Sequence, residues 1–156
     1  MAAAVLCLVL MFTFLTADTA DAAPKGYGFT YKGATVYMNG NAKKLLKKAG
    51  KPKKKTESKS CAYEGMDRTY TFKNFLVKTY SHSDKGDEYV NSIVLLNSKV
   101  KTREGIKVGS SKNDMIDAYG RGSSEFGVYT YSKGKCKLMI ELNSKDRVSR
   151  ITYLAK

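Results

Sequence analysis

Residues 104–120 constrain the fold more than any other segment, because residues 35–50 follow the same pattern seventy positions earlier. The aligned pairs are apolar residues and one pair of glycines: Val36 with Ile106, Met38 with Val108, Leu45 with Met115, Leu46 with Ile116, and Gly50 with Gly120. A fixed internal period is the usual sign of a duplicated structural unit. The sequence therefore predicts two tandem copies of one unit, which we term repeat 1 and repeat 2.

Each predicted repeat opens with a short helix. Ser111 and Asp114 have the spacing of a capping box, in which each side chain bonds to the backbone of the other residue. In repeat 1, Asn39 or Asn41 is the expected N-cap, and a glycine follows each predicted helix and ends it. Helices of this length are marginal alone in water, so we expect each one to pack its apolar side on a sheet.

Three segments rich in aromatic and β-branched residues follow each predicted helix, as is typical of strands. They are residues 70–72, 75–80 and 89–96 in repeat 1, and residues 128–131, 137–142 and 147–154 in repeat 2. The predicted fold class is α+β: two tandem helix-then-antiparallel-sheet repeats, with the helices packed on one face of the sheet. Repeat 1 covers residues 33–103 and includes a long basic loop, and repeat 2 covers residues 104–156.

Residues 1–22 have the features of a secretory signal peptide. An apolar run covers residues 2–15, and the segment ends in Ala20, Asp21 and Ala22, which is an A-x-A cleavage pattern. The apolar run is shorter than a membrane span requires, and no later stretch reaches that length. We therefore expect a protein that is secreted or associated with the cell envelope, with no transmembrane span in the mature chain. Residues 23–32 would form its N-terminal segment.

The chain is strongly basic, with 28 lysine and arginine residues, 14 aspartate and glutamate residues, and a net charge of +14. Cleavage after residue 22 raises the net charge from +14 to +16, because the removed segment carries Asp18 and Asp21 and no basic residue. Such a field attracts anionic partners, including acidic lipids, phosphate-bearing wall polymers and acidic protein surfaces. Export from the cell argues against nucleic acid as the partner.

The positive charge is densest on the first predicted helix and the loop after it. We define the lysine patch as Lys43, Lys44, Lys47, Lys48, Lys51, Lys53, Lys54, Lys55 and Lys59. Its helical members share one side of the helix, so the patch is a candidate site for an anionic polymer or lipid surface. A solvated helix face is the alternative interpretation. No aromatic residue lies between the lysines, which weakens a role in stacking on nucleic-acid bases.

Tyrosine is the second biased residue type, with eleven tyrosines and no tryptophan in the chain. Many tyrosines fall on predicted strands, where alternation sends some rings to the sheet face that no helix covers. Tyrosine suits a binding surface because its ring is large and rigid and its tip is polar. The candidate protein-binding residues are Tyr70, Tyr80, Tyr129, Tyr131 and Tyr153. The alternative is that tyrosine simply favours half-buried strand positions.

Two cysteines, Cys61 and Cys136, follow the predicted signal peptide. An even pair in an exported chain favours a disulfide, which here would join the two repeats. In the chain-entropy model such a bond contributes about 4 kcal/mol. The sequence does not show whether the two Cα atoms come within bonding distance, so bonded and free cysteines both remain open at this point.

Residues suited to catalysis or metal binding are scarce. The single histidine, His82, lies in the polar segment 81–88, whose neighbouring serine and aspartate side chains cannot pre-organise a catalytic triad on a loop. The chain has no histidine pair, no Cys-x-x-Cys motif, no EF-hand spacing and no P-loop. We therefore predict no catalytic residues, no metal site and no cofactor, and we expect that the protein is not an enzyme.

The run Gly-Ile-Lys-Val-Gly-Ser-Ser-Lys-Asn-Asp-Met at residues 105–115, within a pair of helix-then-sheet units, resembles β-lactamase-inhibitor-protein-like repeats. It is also similar to the small outer-membrane lipoprotein domain of the SmpA and OmlA type. Together with residues 60–72, it most resembles uncharacterised secreted proteins and lipoproteins of Gram-positive gut bacteria. The resemblance covers residues 33–156 and implies a helical layer on an antiparallel sheet that binds through its open face. No residue pattern transfers β-lactamase inhibition to this chain.

The main functional hypothesis from the sequence is a secreted, non-enzymatic binding module. It would contact a protein at the bacterial cell envelope through an open, tyrosine-bearing sheet face. The alternative is electrostatic binding of an anionic envelope polymer or lipid surface through the lysine patch. The two hypotheses differ in salt dependence, because polyanion binding weakens steeply as ionic strength rises and a mainly apolar contact does not.

Overall fold

The computed structural model describes residues 26–61 and 64–156, which form ten β-strands and two short α-helices. In chain order these are β1 (Gly28–Tyr31), β2 (Ala34–Tyr37), α1 (Lys43–Ala49), β3 (Lys54–Lys59), β4 (Met66–Thr71), β5 (Phe75–Ser81), β6 (Tyr89–Leu95), α2 (Lys112–Tyr119), β7 (Ser123–Glu125), β8 (Val128–Lys133), β9 (Cys136–Leu142) and β10 (Val148–Ala155). The predicted signal peptide, residues 1–22, lies outside the described residues. Neither described helix is long and apolar enough to cross a membrane.

Eight of the strands form one antiparallel sheet in the order β3-β4-β5-β6-β10-β9-β8-β7. At its centre β6 pairs with β10, so that Ile93 lies opposite Tyr153 and Leu95 lies opposite Ile151. This pairing joins the strands that follow α1 and the strands that follow α2 into a single sheet. The edges of the sheet are β3 and β7, and β1 and β2 form a separate hairpin.

The fold is mostly β, and the predicted α+β class with two helix-then-antiparallel-sheet repeats is wrong. The helices have only seven and eight residues, and the strands after them merge into one eight-stranded sheet. Five predicted strands are confirmed as β5, β6, β8, β9 and β10, whereas the strand predicted at residues 70–72 shares only its first two residues with β4. In addition, β3 and β7 occupy segments where the sequence predicts no strand. Both are exposed along their whole length, so they lack the apolar alternation that marks the other strands.

The layer that covers the sheet contains the β1–β2 hairpin as well as the helices, which is a second departure from the prediction. Phe29 on β1 is fully buried, and its ring centre lies 5.1 Å from that of Phe75 on β5 and 6.1 Å from that of Tyr153 on β10. Helix α1 contacts both strands of this hairpin. Leu45 of α1 and Met115 of α2 belong to the same buried cluster.

One row of paired residues crosses six strands and is buried throughout. In register, the row consists of Tyr70, Val77, Ile93, Tyr153, Leu138 and Tyr131. Residues that lie directly opposite each other on antiparallel strands project from the same face. The row therefore marks the face that packs against Phe29, Leu45 and Met115, which we call the covered face.

The adjacent row projects from the opposite side of the sheet, because successive residues of a strand point to opposite faces. In register, it consists of Thr71, Leu76, Val94, Thr152, Met139, Thr130 and Ser123. None of these residues is buried; six are partly exposed and Ser123 is exposed. We call this side the open face.

The two helix starts differ from each other. In α2 the predicted capping box is confirmed: the backbone N–H of Asp114 donates to the Ser111 hydroxyl at 3.1 Å, and the backbone N–H of Ser111 donates to the Asp114 carboxylate at 3.1 Å. In α1 the N-cap is Ala42, so the prediction of Asn39 or Asn41 is wrong. The Asn41 side chain instead accepts a 2.9 Å hydrogen bond from the backbone N–H of the first helical residue.

Candidate binding surfaces

Three apolar side chains form the centre of the open face. Leu76 on β5 lies opposite Val94 on β6, and Thr152 on β10 lies between Val94 and Met139 on β9. Each of the three apolar residues is partly exposed. In the next row, Leu154 adds a further exposed apolar side chain. The open face therefore has an apolar centre of aliphatic residues.

Four of the five candidate protein-binding tyrosines lie on the covered face and not on the open face. Tyr70, Tyr131 and Tyr153 belong to the buried row of the covered face, where burial raises the pKa of each hydroxyl above its ordinary value. Tyr129 is half-buried against the same core, which leaves Tyr80 as the member of the predicted set on the open face. Alternation along a strand shows which residues share a face, but it does not show which face the rest of the chain covers.

Tyr80 belongs to an aromatic cluster at one end of the open face. It lies opposite Tyr89, and the ring centre of His82 lies 5.1 Å from that of Tyr80 and 6.4 Å from that of Tyr89. The Tyr80 hydroxyl donates to the backbone carbonyl of Glu64 and lies 3.3 Å from Nδ1 of His82. The three rings line a cavity of about 390 Å³ together with Asp67. His82 is exposed, as the sequence predicts, but it lies beside two tyrosine rings.

All nine residues of the lysine patch are exposed. Four of them lie on α1, two lie between α1 and β3, and three lie on β3 itself. Within the described part of the chain, Lys55 is the member that has an ion pair, with its Nζ 3.0 Å from the Glu57 carboxylate. The sequence prediction of a long basic loop is wrong for residues 54–59, which form the edge strand β3.

The position of β3 gives its lysines a structural role as well. An edge strand presents unpaired backbone groups that invite pairing with another chain, and lysine side chains discourage such pairing. β3 is exposed at all six positions and carries Lys54, Lys55 and Lys59. Protection of the sheet edge therefore accounts for these three lysines without any ligand.

Cys61 and Cys136 are both free thiols, so of the two possibilities left open by the sequence the structure has the unbonded one. Cys61 is exposed just after β3, whereas Cys136 is buried at the start of β9. Four strands separate β3 from β9, a distance of roughly 24 Å at about 4.8 Å per strand in a flat sheet. Bonded cysteines have Cα atoms within about 7 Å. Burial raises the pKa of the Cys136 thiol to about 11.

A polar network that the sequence does not predict surrounds Arg68, whose side chain is only 6% exposed. Its guanidinium donates hydrogen bonds to the Glu57 carboxylate at 3.2 Å, to the Ser81 hydroxyl at 2.6 Å and to the Asp84 carbonyl at 2.6 Å. A buried charge with this many partners is costly to disrupt. The sequence signal for this network is the position of Arg68 on its strand, where the neighbours on the same side, Met66 and Tyr70, are apolar.

Glu88 completes this network. Its carboxylate accepts hydrogen bonds from the Tyr70 hydroxyl at 2.8 Å and the Thr79 hydroxyl at 2.5 Å, and it lies 3.9 Å from Arg68. Burial and the bond to Glu88 together raise the pKa of Tyr70. The network therefore fixes the β5–β6 loop to the sheet. No group of three or more side chains suited to holding a metal occurs among the residues that the structure describes.

Phe126 is a second feature that sequence reasoning missed. It lies in the turn between β7 and β8 and is 96% exposed. The sequence signal for this feature is an unusual residue in a tight turn. The first position of a two-residue turn before glycine normally holds asparagine, aspartate or glycine, whereas here it holds Phe126. The ring borders a hollow of about 400 Å³ on the open face, which Val128 and Met139 also line.

Comparisons of the chain with protein-family models, with curated proteins and with solved structures give no match. The resemblance to β-lactamase-inhibitor-protein-like repeats and to secreted proteins of Gram-positive bacteria therefore stays a prediction from sequence motifs.

Proposed function

We propose that the protein is an exported, non-enzymatic binding module that contacts a protein partner at the cell envelope through the open face of its sheet. The observation that carries the proposal is the register row in which Leu76, Val94 and Met139 stay partly exposed on central strands. A partner that covers them removes apolar surface from water, which contributes roughly 25 cal/mol per Å².

The surroundings of this apolar centre support a protein rather than a small molecule as the partner. In the neighbouring row, Leu154 lies between Lys137 and Ser92, and Lys78 lies beyond Ser92. Threonines continue the apolar row on both sides. Tyr80 and Tyr89 lie farther along the same face. An apolar centre with tyrosines and a polar rim is the composition by which proteins commonly recognise other proteins.

The test is a pull-down from a solubilised envelope fraction at high ionic strength with three forms of the mature chain. These are the unchanged chain, an open-face variant with Val94→Glu and Met139→Glu, and an edge variant with Lys54→Glu and Lys55→Glu. Circular dichroism establishes that each variant is folded. We expect a protein that the unchanged chain and the edge variant retain and that the open-face variant loses. Retention of that protein by the folded open-face variant contradicts the proposal.

A second candidate function is electrostatic binding of an anionic wall polymer or lipid surface through the lysine patch. The observation that favours it is the exposure of all nine lysines, of which Lys55 has an ion pair within the described residues. Lys43, Lys44, Lys47 and Lys48 lie on α1, where edge protection does not explain them. These four helical lysines are therefore the strongest part of the patch as a binding site.

Co-sedimentation with Gram-positive wall sacculi, with and without their anionic polymers, tests the second candidate at low and high salt. Two charge-reversal variants separate ligand binding from edge protection: one changes the helical Lys43, Lys47 and Lys48 to glutamate, and the other changes Lys54, Lys55 and Lys59. If the patch binds the polymer, the helical variant loses binding that is salt-sensitive in the unchanged chain. Unchanged sedimentation of the helical variant contradicts this candidate.

A further inference from the structure

Phe126 is the most exposed of the large apolar side chains that the structure describes. It is 96% exposed, compared with 45% for Leu96 and 36% for Leu154. A side chain in this position removes almost no apolar surface from water within the folded chain. The fold therefore gains little from an aromatic residue here.

The backbone of the turn makes phenylalanine an unfavourable choice as well. Phe126 and Gly127 have φ values of 47° and 78°, as in the type I′ turns that join two strands most tightly. A positive φ is rarely adopted by a bulky residue, and asparagine or glycine normally takes this position. Strained residues often persist where they serve a function, so Phe126 is a candidate for a role outside the fold.

The β7–β8 hairpin fixes the backbone position of Phe126. All three residues of β7 pair with β8. The carbonyl of Gly127 accepts a 3.0 Å hydrogen bond from the backbone N–H of Leu142, which ties the turn to the end of β9. The ring therefore stands at the end of the sheet where β8 begins and β9 ends.

The turns at this end of the sheet are basic. The antiparallel pairing places the β4–β5 turn, the residues after β6 and the β9–β10 turn at the same end as Phe126. These segments are residues 72–74, 96–99 and 143–147, with the basic residues Lys73, Lys99, Lys145 and Arg147 and the acidic residue Asp146. The described segments at the opposite end of the sheet carry three basic and four acidic residues. These segments are residues 60–61, 64–65, 82–88, 134–135 and 156. The two ends of the sheet therefore differ in the sign of their charge.

A second exposed apolar side chain lies at the basic end. The backbone N–H of Leu96 donates a 2.9 Å hydrogen bond to the carbonyl of Asn74 in the β4–β5 turn, which places Leu96 beside Lys73. Leu96 and Phe126 lie on different turns with the ends of β10 and β9 between them. The basic end thus combines two separate apolar side chains with lysine and arginine residues.

We propose that this end of the sheet docks on a membrane surface that contains anionic lipids. The Phe126 ring enters the headgroup region, and Lys73, Lys99, Lys145 and Arg147 lie near the lipid phosphates. Basic residues near an anionic leaflet and aromatic rings at the interface both stabilise this mode of attachment. Phe126 and these four basic residues belong neither to the lysine patch nor to the row of Leu76, Val94 and Met139.

The geometry favours a lipid surface over a protein pocket for the Phe126 ring. The apolar side chains are isolated on projecting turns, so a protein partner would need a matching cavity for each of them. A membrane interface accepts a protruding aromatic ring without such a cavity. The charge of the surrounding turns is complementary to phosphate headgroups.

The experiment uses the mature chain with vesicles of phosphatidylcholine alone or of phosphatidylcholine mixed with phosphatidylglycerol. The chain has no tryptophan. Phe126→Trp therefore introduces a single fluorescent reporter at the turn, and Ser83→Trp places a matched reporter at the opposite end of the sheet. With anionic vesicles we expect a blue shift and quenching by brominated acyl chains for Phe126→Trp, and neither change for Ser83→Trp.

Phe126→Asn is the decisive variant, because asparagine suits the turn and the substitution keeps every charge. We expect it to fold and to partition into anionic vesicles about tenfold more weakly, since burial of a phenylalanine ring contributes at least that factor. Equal partitioning of Phe126→Asn and the unchanged chain overturns the proposal. A lack of vesicle binding by the unchanged chain at low salt also overturns the proposal. This holds even if Phe126→Asn weakens binding to a protein partner, because the role of the ring would then be protein recognition.

Discussion

The guanidinium of Arg68 lies 3.2 Å from the carboxylate of Glu57, so a buried charge on β4 is paired with an acid on the exposed edge strand β3. Further hydrogen bonds from Arg68 reach the Ser81 hydroxyl and the Asp84 carbonyl. The arrangement links three strands and the β5–β6 loop. Removal of the arginine leaves several polar groups without their donor.

Arg68→Leu should lower the free energy of unfolding by about 3 kcal/mol, because it breaks a buried charge network. Urea denaturation followed by circular dichroism measures the loss. Arg150→Leu is the matched control, since the 3.8 Å pair of Arg150 with Glu141 is largely exposed. We expect the control to cost less than about 1 kcal/mol. Equal losses for the two variants would contradict the assigned role of Arg68.

Tyr153→Phe should raise the stability of the protein. The Tyr153 hydroxyl is buried and has no hydrogen-bond partner among the described residues. Its removal should increase the free energy of unfolding by about 1 kcal/mol, because an unsatisfied buried polar group is unfavourable. Tyr131→Phe provides the contrast, since the Tyr131 hydroxyl donates a 3.0 Å hydrogen bond to the Gly120 carbonyl and its loss should be destabilising. A destabilised Tyr153→Phe would show that this hydroxyl has a partner.

Ser111→Ala should lower the free energy of unfolding by about 1 kcal/mol, because it removes one half of the capping box at the start of α2. The exposed Ser124 on β7 offers a control serine, and Ser124→Ala should have little effect. The double variant Ser111→Ala with Asp114→Ala should lose less than the sum of the two single changes, since the two side chains act together. Strict additivity would show that they act independently.

The two cysteines should differ in reactivity and in their effect on pH dependence. A thiol reagent should label the exposed Cys61 promptly and the buried Cys136 only after unfolding. Burial raises the pKa of Cys136 from the ordinary value of 9.0 to about 11. As the pH rises between these values the unfolded chain loses this proton first, so the free energy of unfolding falls. Denaturation of Cys136→Ala across that window should show a weaker pH dependence, and an unchanged slope would contradict this assignment.

The strands that sequence reasoning finds are those with alternating apolar residues. β5 shows why: Phe75, Val77, Thr79 and Ser81 are buried and the residues between them are not. The α2 capping box is equally local, because Ser111 and Asp114 are three residues apart and contact only each other's backbone. β3 carries no such signal, since none of its residues is buried and pairing with β4 alone defines it.

The location of the candidate binding surfaces could not be predicted from the sequence, because it depends on which face of the sheet the rest of the chain covers. Tyr131 and Tyr80 both lie on strands that the sequence predicts correctly, yet Tyr131 is buried and Tyr80 lies on the open face. The covering hairpin decides the difference, because Phe29 packs on the side of the sheet to which Tyr153 points. The exposure of Phe126 likewise follows from the position of the β7–β8 turn at the end of the sheet.

The local features of this protein follow from its sequence alone: five of the ten strands among the described residues, the cap of α2, the strong positive charge and the exposure of the lysines. Each of these follows from neighbouring residues, whose spacing sets periodicity, hydrogen bonding and charge density. The tertiary structure alone decided that one eight-stranded sheet forms, which of its faces is covered, that Cys61 and Cys136 stay apart, and that Arg68 finds its partners. Those outcomes depend on contacts between residues that are distant in the chain. The pairing of β6 with β10 is the central one, because it joins the strands after α1 to the strands after α2.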